Sequence, residues 1–303
     1  MNDSSSGTAA INSYKFKGKG TYHDKAFMAI VYVVMALLVG ATLYPIIYVF
    51  SVSISSYESV VGNRIVLWPV GFSLNGYRKI VADSDFYTGY GNTIFYTVAG
   101  TVLNVVMTVL AAFPLSRKEF FMRKFFTFIF MFTMFFGGGM VPSYIIVTKL
   151  GLYNSRLAMI LPGLISTWNL ILCRTYIMSL PEELYDSAKV DGCTEFRFLL
   201  VILLPLIKPI IAVLIIYYGV GHWNSWFNAL LYLSDATKHP VQIYLRRLLI
   251  QSTNELAASA YELESTLQVR YCAMFVTVLP IMAIYPFFQK YFTKGVMVGS
   301  LKG

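Results

Sequence analysis

Two stretches of this chain carry side chains whose types and spacing suit recognition chemistry. The first, Gly221-His222-Trp223-Asn224-Ser225-Trp226-Phe227-Asn228, combines aromatic faces with side-chain amides. A sugar ring offers the complement of both: apolar C–H faces stack on aromatic rings, and hydroxyls pair with amide donors and acceptors. On a continuous helix Asn224 and Asn228, four apart, share one face. The competing reading is an aromatic belt, since Trp and Tyr collect at a membrane–water interface without any ligand. A belt accounts for Trp223 and Trp226 but not for the two asparagines. Tyr217, Tyr218, Asn104 and Asn169 are further candidates for lining a solute path, and each is equally able to hydrogen-bond a neighbouring helix.

The second stretch is residues 181–205, PEELYDSAKVDGCTEFRFLLVILLP, a charged patch between two long apolar runs. Ser179 and Glu182, three apart, have the spacing of a capping box, and Pro181 is harmless in a first helical turn. Glu182, Glu183 and Asp186 lie toward the positive end of the helix dipole. Gly192 supplies a stop, because glycine takes the left-handed cap conformation without Cβ strain. The prediction is a short surface helix over about 180–193, closed by a sharp turn.

Other chemistry is missing. No GxxxxGK[ST] phosphate loop occurs, so any nucleotide hydrolysis must happen on another chain. HExxH, GxSxG and paired carboxylates in an apolar cavity are absent too. Cys173, Cys193 and Cys272 have no metal-ligand spacing and read as small core residues. The expectation is a chain that is not an enzyme and binds neither metal nor cofactor. All fifteen Asp and Glu fall in expected tails or loops, whereas ion-coupled carriers place acidic groups or histidine inside the membrane.

The elements that hold these residues follow from composition. A chain 57% hydrophobic and 13% charged is a polytopic membrane protein. Six runs approach the roughly 20 apolar residues that a bilayer requires, near residues 26–50, 92–115, 125–147, 157–177, 199–221 and 271–292. The polar residues 1–25 read as a cytoplasmic tail. Lys and Arg number fourteen on one set of connecting segments and nine on the other, with Arg117, Lys118, Arg123 and Lys124 densest. That bias places both termini and the 181–205 patch in the cytoplasm, which also explains a net charge of +9 without nucleic acid. Trp68-Pro69 and Asn75-Gly76 are turn signals, residues 244–249 read as an interfacial helix, and Pro205 and Pro209 predict a kink. Gly137-Gly138-Gly139 followed by Pro142 breaks the third run near its middle. Either the unwound backbone lines an aqueous solute path, with Gly138 in its wall, or the glycines permit close helix packing.

The patch also carries a resemblance. Asp186-Ser187-Ala188, three residues, Gly192, nine residues, Ile202, one residue, then Leu204-Pro205 resembles the EAA loop of ABC importer permeases, with Asp186 and Ser187 replacing the usual Glu and Ala. The 135–142 stretch (FFGGGMVP), Leu150-Gly151-Leu152, Leu161-Pro162-Gly163 and the 221–228 run are similar to maltose-type carbohydrate permeases, in the branch of LplC-like polysaccharide permeases. This resemblance implies an all-α, six-span type I ABC importer permease fold over residues 26–303. It implies a second permease as heterodimer partner and two cytoplasmic ABC ATPase subunits that hold ATP and Mg. It also implies an extracytoplasmic solute-binding protein and import of an oligosaccharide through a bacterial cytoplasmic membrane. The residues carried over for ATPase coupling are Glu183, Asp186, Ser187, Ala188, Asp191 and Gly192. An ABC permease for another solute, an ion-driven carrier and a membrane-embedded enzyme are the alternatives.

Overall fold

The computed structural model describes residues 22–251 and 260–300, with side chains for 25–250 and 267–287. The chain divides into two units, Met1–Tyr48 and Val49–Gly303. Residues 1–21 of the expected tail lie outside the described residues, and residues 22–25 are already helical.

In the first unit, helix α1 (Tyr22–Ser53, which continues into the second) is apolar on all sides, and its side chains from 25 to 47 are all exposed. Exposed apolar surface around a whole helix suits hydrocarbon, not water.

Within the second unit the described residues form helices and no strands, apart from one isolated bridge between Ser55 and Phe72. Asn75-Gly76, expected as a turn, instead opens α2 (Asn75–Ala82). Gly76 is needed there for contact, since a Cβ would lie 2.6 Å from Cys272 Sγ. The hub is α3 (Ser84–Ser116), which starts eight residues before the apolar run because Asp83 accepts from the Asp85 amide and caps it.

Three of the six expected spans are broken. Helices α4 (Arg123–Phe135) and α5 (Met140–Lys149) meet at 118°. Gly139, at φ +83, turns the chain there. In the fourth span Pro162 and Gly163 leave only 3₁₀ turns before α6 (Thr167–Met178), at 51°. The fifth comprises a helical segment, Glu195–Leu206, and α8 (Lys208–Trp223), bent by 82° at Ile207. Pro205 lacks a backbone donor, and the turn before it widens into a π-helix over Phe198–Leu203. Between the fourth and fifth spans lies α7 (Glu183–Val190).

The α-helices after the fifth span are α9 (Phe227–Tyr232), α10 (Val241–Gln251) and α11 (Ala260–Ser300), whose apolar part is Leu267–Phe287. Helix α10 contains the expected interfacial segment but is packed into the bundle: Val241 and Tyr244 are buried, and the Tyr244 hydroxyl donates to Asp83 at 2.8 Å. The largest core cluster joins the lower half of α3 to α6, α7, the π-turn and α8 through Phe113, Leu170, Tyr185, Ala188, Phe198 and Leu214.

Candidate functional site

Helix α7 is amphipathic, and its two faces have different fates. Tyr185 and Ala188, three apart, are buried in the core cluster. Glu183, Leu184, Asp186, Ser187, Asp191 and Gly192 are exposed, and Val190 is 88% exposed. Leu184 and Val190 thus leave apolar surface beside acidic groups on this face. Ala188 was expected to seat the helix in a partner; its small side chain instead lets α7 lie close on its own spans.

The start of α7 departs from expectation, and its end follows it. Ser179 does not cap α7: its hydroxyl donates to the Tyr176 carbonyl at 2.7 Å and closes the last turn of α6. No side chain caps the start of α7. At its C-terminus Gly192 has φ +71, its amide donates to Lys189 O, and Cys193 N reaches Ala188 O at 2.9 Å. Nothing lies within 4 Å of a Cβ built there, so Gly192 is required by backbone conformation and not by crowding. Thr194 then caps the next segment by accepting from Arg197 N. The Tyr185 hydroxyl donates to Glu195, and burial together with that carboxylate pushes the phenol up to about 12. Lys118 and Glu182 pair at 2.6 Å, but both are well exposed and the pair adds little stability.

A second group of candidates forms a polar seam through the bundle. Asn104 is fully buried, and its amide N donates to Gly163 O at 2.7 Å and Leu164 O at 2.8 Å. With both amide protons used, its oxygen accepts from His222 Nε2 at 2.7 Å, which fixes the proton on that nitrogen. One turn along, the Tyr218 hydroxyl accepts from Ser166 N at 3.0 Å and pairs with Thr108 at 2.7 Å. These side chains satisfy the backbone groups that the broken fourth span leaves free, which hydrocarbon cannot do. Gly100 makes room for the seam, because a Cβ there would lie 2.4 Å from His222 Nε2. Asn104 and Tyr218 are therefore held by neighbouring helices in this conformation.

The aromatic-amide run is dispersed. Trp223 is buried, and its indole N–H donates to Thr277 O at 2.9 Å. Helix α8 ends at Trp223 and α9 begins at Phe227, so Asn224 and Asn228 do not share a helical face. Asn224 is exposed and its amide returns to Val220 O, while Trp226 is covered by the Arg246 guanidinium, 3.8 Å from the ring centroid. Asn228 and Tyr217 are exposed, and Asn169 is 5% exposed. Gly138 is exposed, with only Pro142 Cβ at 3.9 Å from a built Cβ, so within this chain the glycine run serves no close helix packing. Among the described residues no His, Cys, Asp and Glu side chains gather as metal ligands.

Sequence reasoning missed Arg117, Tyr185 and the role of His222. The burial of Tyr185 was available from its three-residue spacing to Ala188; the other two depend on contacts across the fold.

Residues 9–298 match the family described as binding-protein-dependent transport system inner membrane component. The chain is 35% identical, over 92% of its own length and 99% of the relative's, to the polygalacturonan/rhamnogalacturonan transport system permease protein YtcP of Bacillus subtilis (strain 168). It is 36% identical to Protein LplC of the same organism, over 88% of this chain and 91% of that one. It also superposes, with a TM-score of 0.83 and 31% identity over 91% of this chain and 99% of the other, on a chain from a bacterial ABC transporter involved in the import of the acidic polysaccharide alginate.

Proposed function

This chain belongs to the binding-protein-dependent transport system inner membrane component family, and on that premise we propose that it forms half of the pore of an oligosaccharide importer driven by a separate ATPase. It is a transport permease of the membrane and not an enzyme. The family description itself supports an extracytoplasmic binding protein as the donor of solute. A second permease completes the pore, and two cytoplasmic ATPase subunits hold ATP and Mg. Both termini and α7 face the cytoplasm, the orientation that the distribution of Lys and Arg favours. Residues 26–303 act as one transmembrane domain.

The observation that carries this reading is α7: a short helix outside the spans, with one face rooted in three of them and the other bare. Closure of the ATPase dimer carries Glu183, Asp186, Ser187, Asp191 and Gly192 with it, and Tyr185 and Ala188 transmit the motion to α3, α6 and the π-turn. The breaks near Gly138 and at Ile207 let the spans re-aim without tearing the bundle. Tyr217, Asn224 and Asn228, exposed polar groups on or beside α8, are the candidates for meeting sugar hydroxyls. Trp223, Asn104, Tyr218 and Asn169 shape that wall from behind.

The test is uptake by the whole complex in proteoliposomes, with binding protein and a panel of oligosaccharides. The acidic polysaccharides named for the relatives make uronate oligomers the first probes. Uptake is expected only with ATP and a loaded binding protein. Uptake without nucleotide under an ion gradient, or turnover of a sugar by this chain alone, contradicts the proposal.

A further inference from the structure

The end of α3 reaches the buried face of α7 through the guanidinium of Arg117. Arg117 follows the last residue of α3, and its guanidinium lies 3.8 Å from the centroid of Tyr185, 4.9 Å from Phe198 and 5.0 Å from Phe113. Each ring comes from a different element: Phe113 from α3, Tyr185 from α7, Phe198 from the π-turn of the fifth span. Tyr185 and Phe198 also meet edge to face at 5.1 Å, and Phe113 stacks on Phe198 at 6.1 Å. Arg117 Nε is buried without a hydrogen-bond partner among the described residues, so that edge of the cation is held by ring faces and not by acceptors. On the far side of Tyr185, the hydroxyl is fixed by Glu195, at the start of the same fifth span.

A ring face attracts a cation lying anywhere over it within about 6 Å of the centroid, whereas a hydrogen bond is more directional. A guanidinium in such a cage keeps hold of three elements while they slide and tilt by small amounts. The neighbouring exposed Lys118–Glu182 pair links the same two elements, but solvent screens it.

We propose that Arg117 is a positioning residue for energy coupling: its cage of Phe113, Tyr185 and Phe198 forces α3 and the fifth span to follow α7. This rests on the reading of α7 as the ATPase contact. Loss of the cage would let α7 move with the ATPase while the spans lag behind.

The experiment measures sugar imported per ATP hydrolysed by the reconstituted complex, native and with R117Q or R117K. For R117Q we expect hydrolysis to persist and the ratio to fall by roughly tenfold, as the loss of a desolvated cation–π contact predicts. R117K, which keeps the cation, should recover most of the ratio; a purely structural role gives no reason for charge to rescue. A native ratio in R117Q overturns the proposal. If R117Q complexes cannot be recovered, Y185F and Y185L decide. The ring alone should preserve the ratio and its loss should lower it, and equal ratios overturn the proposal. Should the native complex itself show no ATP-dependent import, the failure belongs to the reading of α7 and not to Arg117.

Discussion

Gly192→Trp is expected to stop import while the chain still inserts and the ATPase subunits still turn over. The residue sits at φ +71, a conformation that costs an L side chain about 1–2 kcal/mol. That strain is modest beside the stability of a six-span bundle, and no atom lies within 4 Å to clash with a Cβ. The fold should therefore survive. What changes is the local surface: an indole stands beside Asp191 and Val190, on the face that α7 offers, and the turn that sets the helix against the fifth span is bent. Gly192→Ala separates the two effects, because it strains the backbone without adding bulk. Import normalised to ATP hydrolysis should rank native above Gly192→Ala and Gly192→Ala above Gly192→Trp. A native ratio in Gly192→Trp removes Gly192 from the coupling surface.

Asn104→Leu should act on the fold itself. Leucine fills a similar volume but orphans Gly163 O, Leu164 O and the His222 N–H together. In soluble proteins a buried group left unpaired costs about 1–3 kcal/mol. Side-chain hydrogen bonds within membranes average nearer 0.6 kcal/mol, so three groups still sum to about 2 kcal/mol. By that arithmetic the ratio of intact to disrupted bundle falls by more than roughly tenfold. Thermal inactivation of the purified complex should shift clearly downward, with His222→Ala, which removes one bond and leaves both carbonyls served, giving a smaller shift. Equal stability of Asn104→Leu and native protein means that the fourth-span break is satisfied by something other than Asn104.

How far the sequence reveals this molecule depends on the distance over which each feature is determined. The α7 turn was legible because its cause is local: a left-handed glycine at one position, followed within the same stretch by the Pro205 ring. The span count followed from apolar runs, and two of the breaks from consecutive glycines and from Pro205. The capping box at Ser179 failed because the hydroxyl had a competing local acceptor, Tyr176 O, in the helix just ended. The aromatic-amide run misled for a different reason: a break after Trp223 destroyed the helical register that would have aligned Asn224 with Asn228. The seam was hidden by separation along the chain, since Asn104 lies 59 residues from Gly163 and 118 from His222. Arg117 looked like one more charge in a basic cluster; only the fold places it among three rings.

The central claim is that the exposed face of α7 sits inside the cell against a separate ATPase. A single introduced thiol tests it directly: Ser187→Cys, with half-exposed Cys193 changed to serine and the buried Cys173 and Cys272 left in place. In right-side-out vesicles the thiol of the Ser187→Cys variant should resist an impermeant maleimide, and in the assembled complex a short bifunctional reagent should join it to the ATPase subunit. Labelling from outside, or a Ser187→Cys complex active in import whose new thiol never reaches the ATPase, contradicts the account.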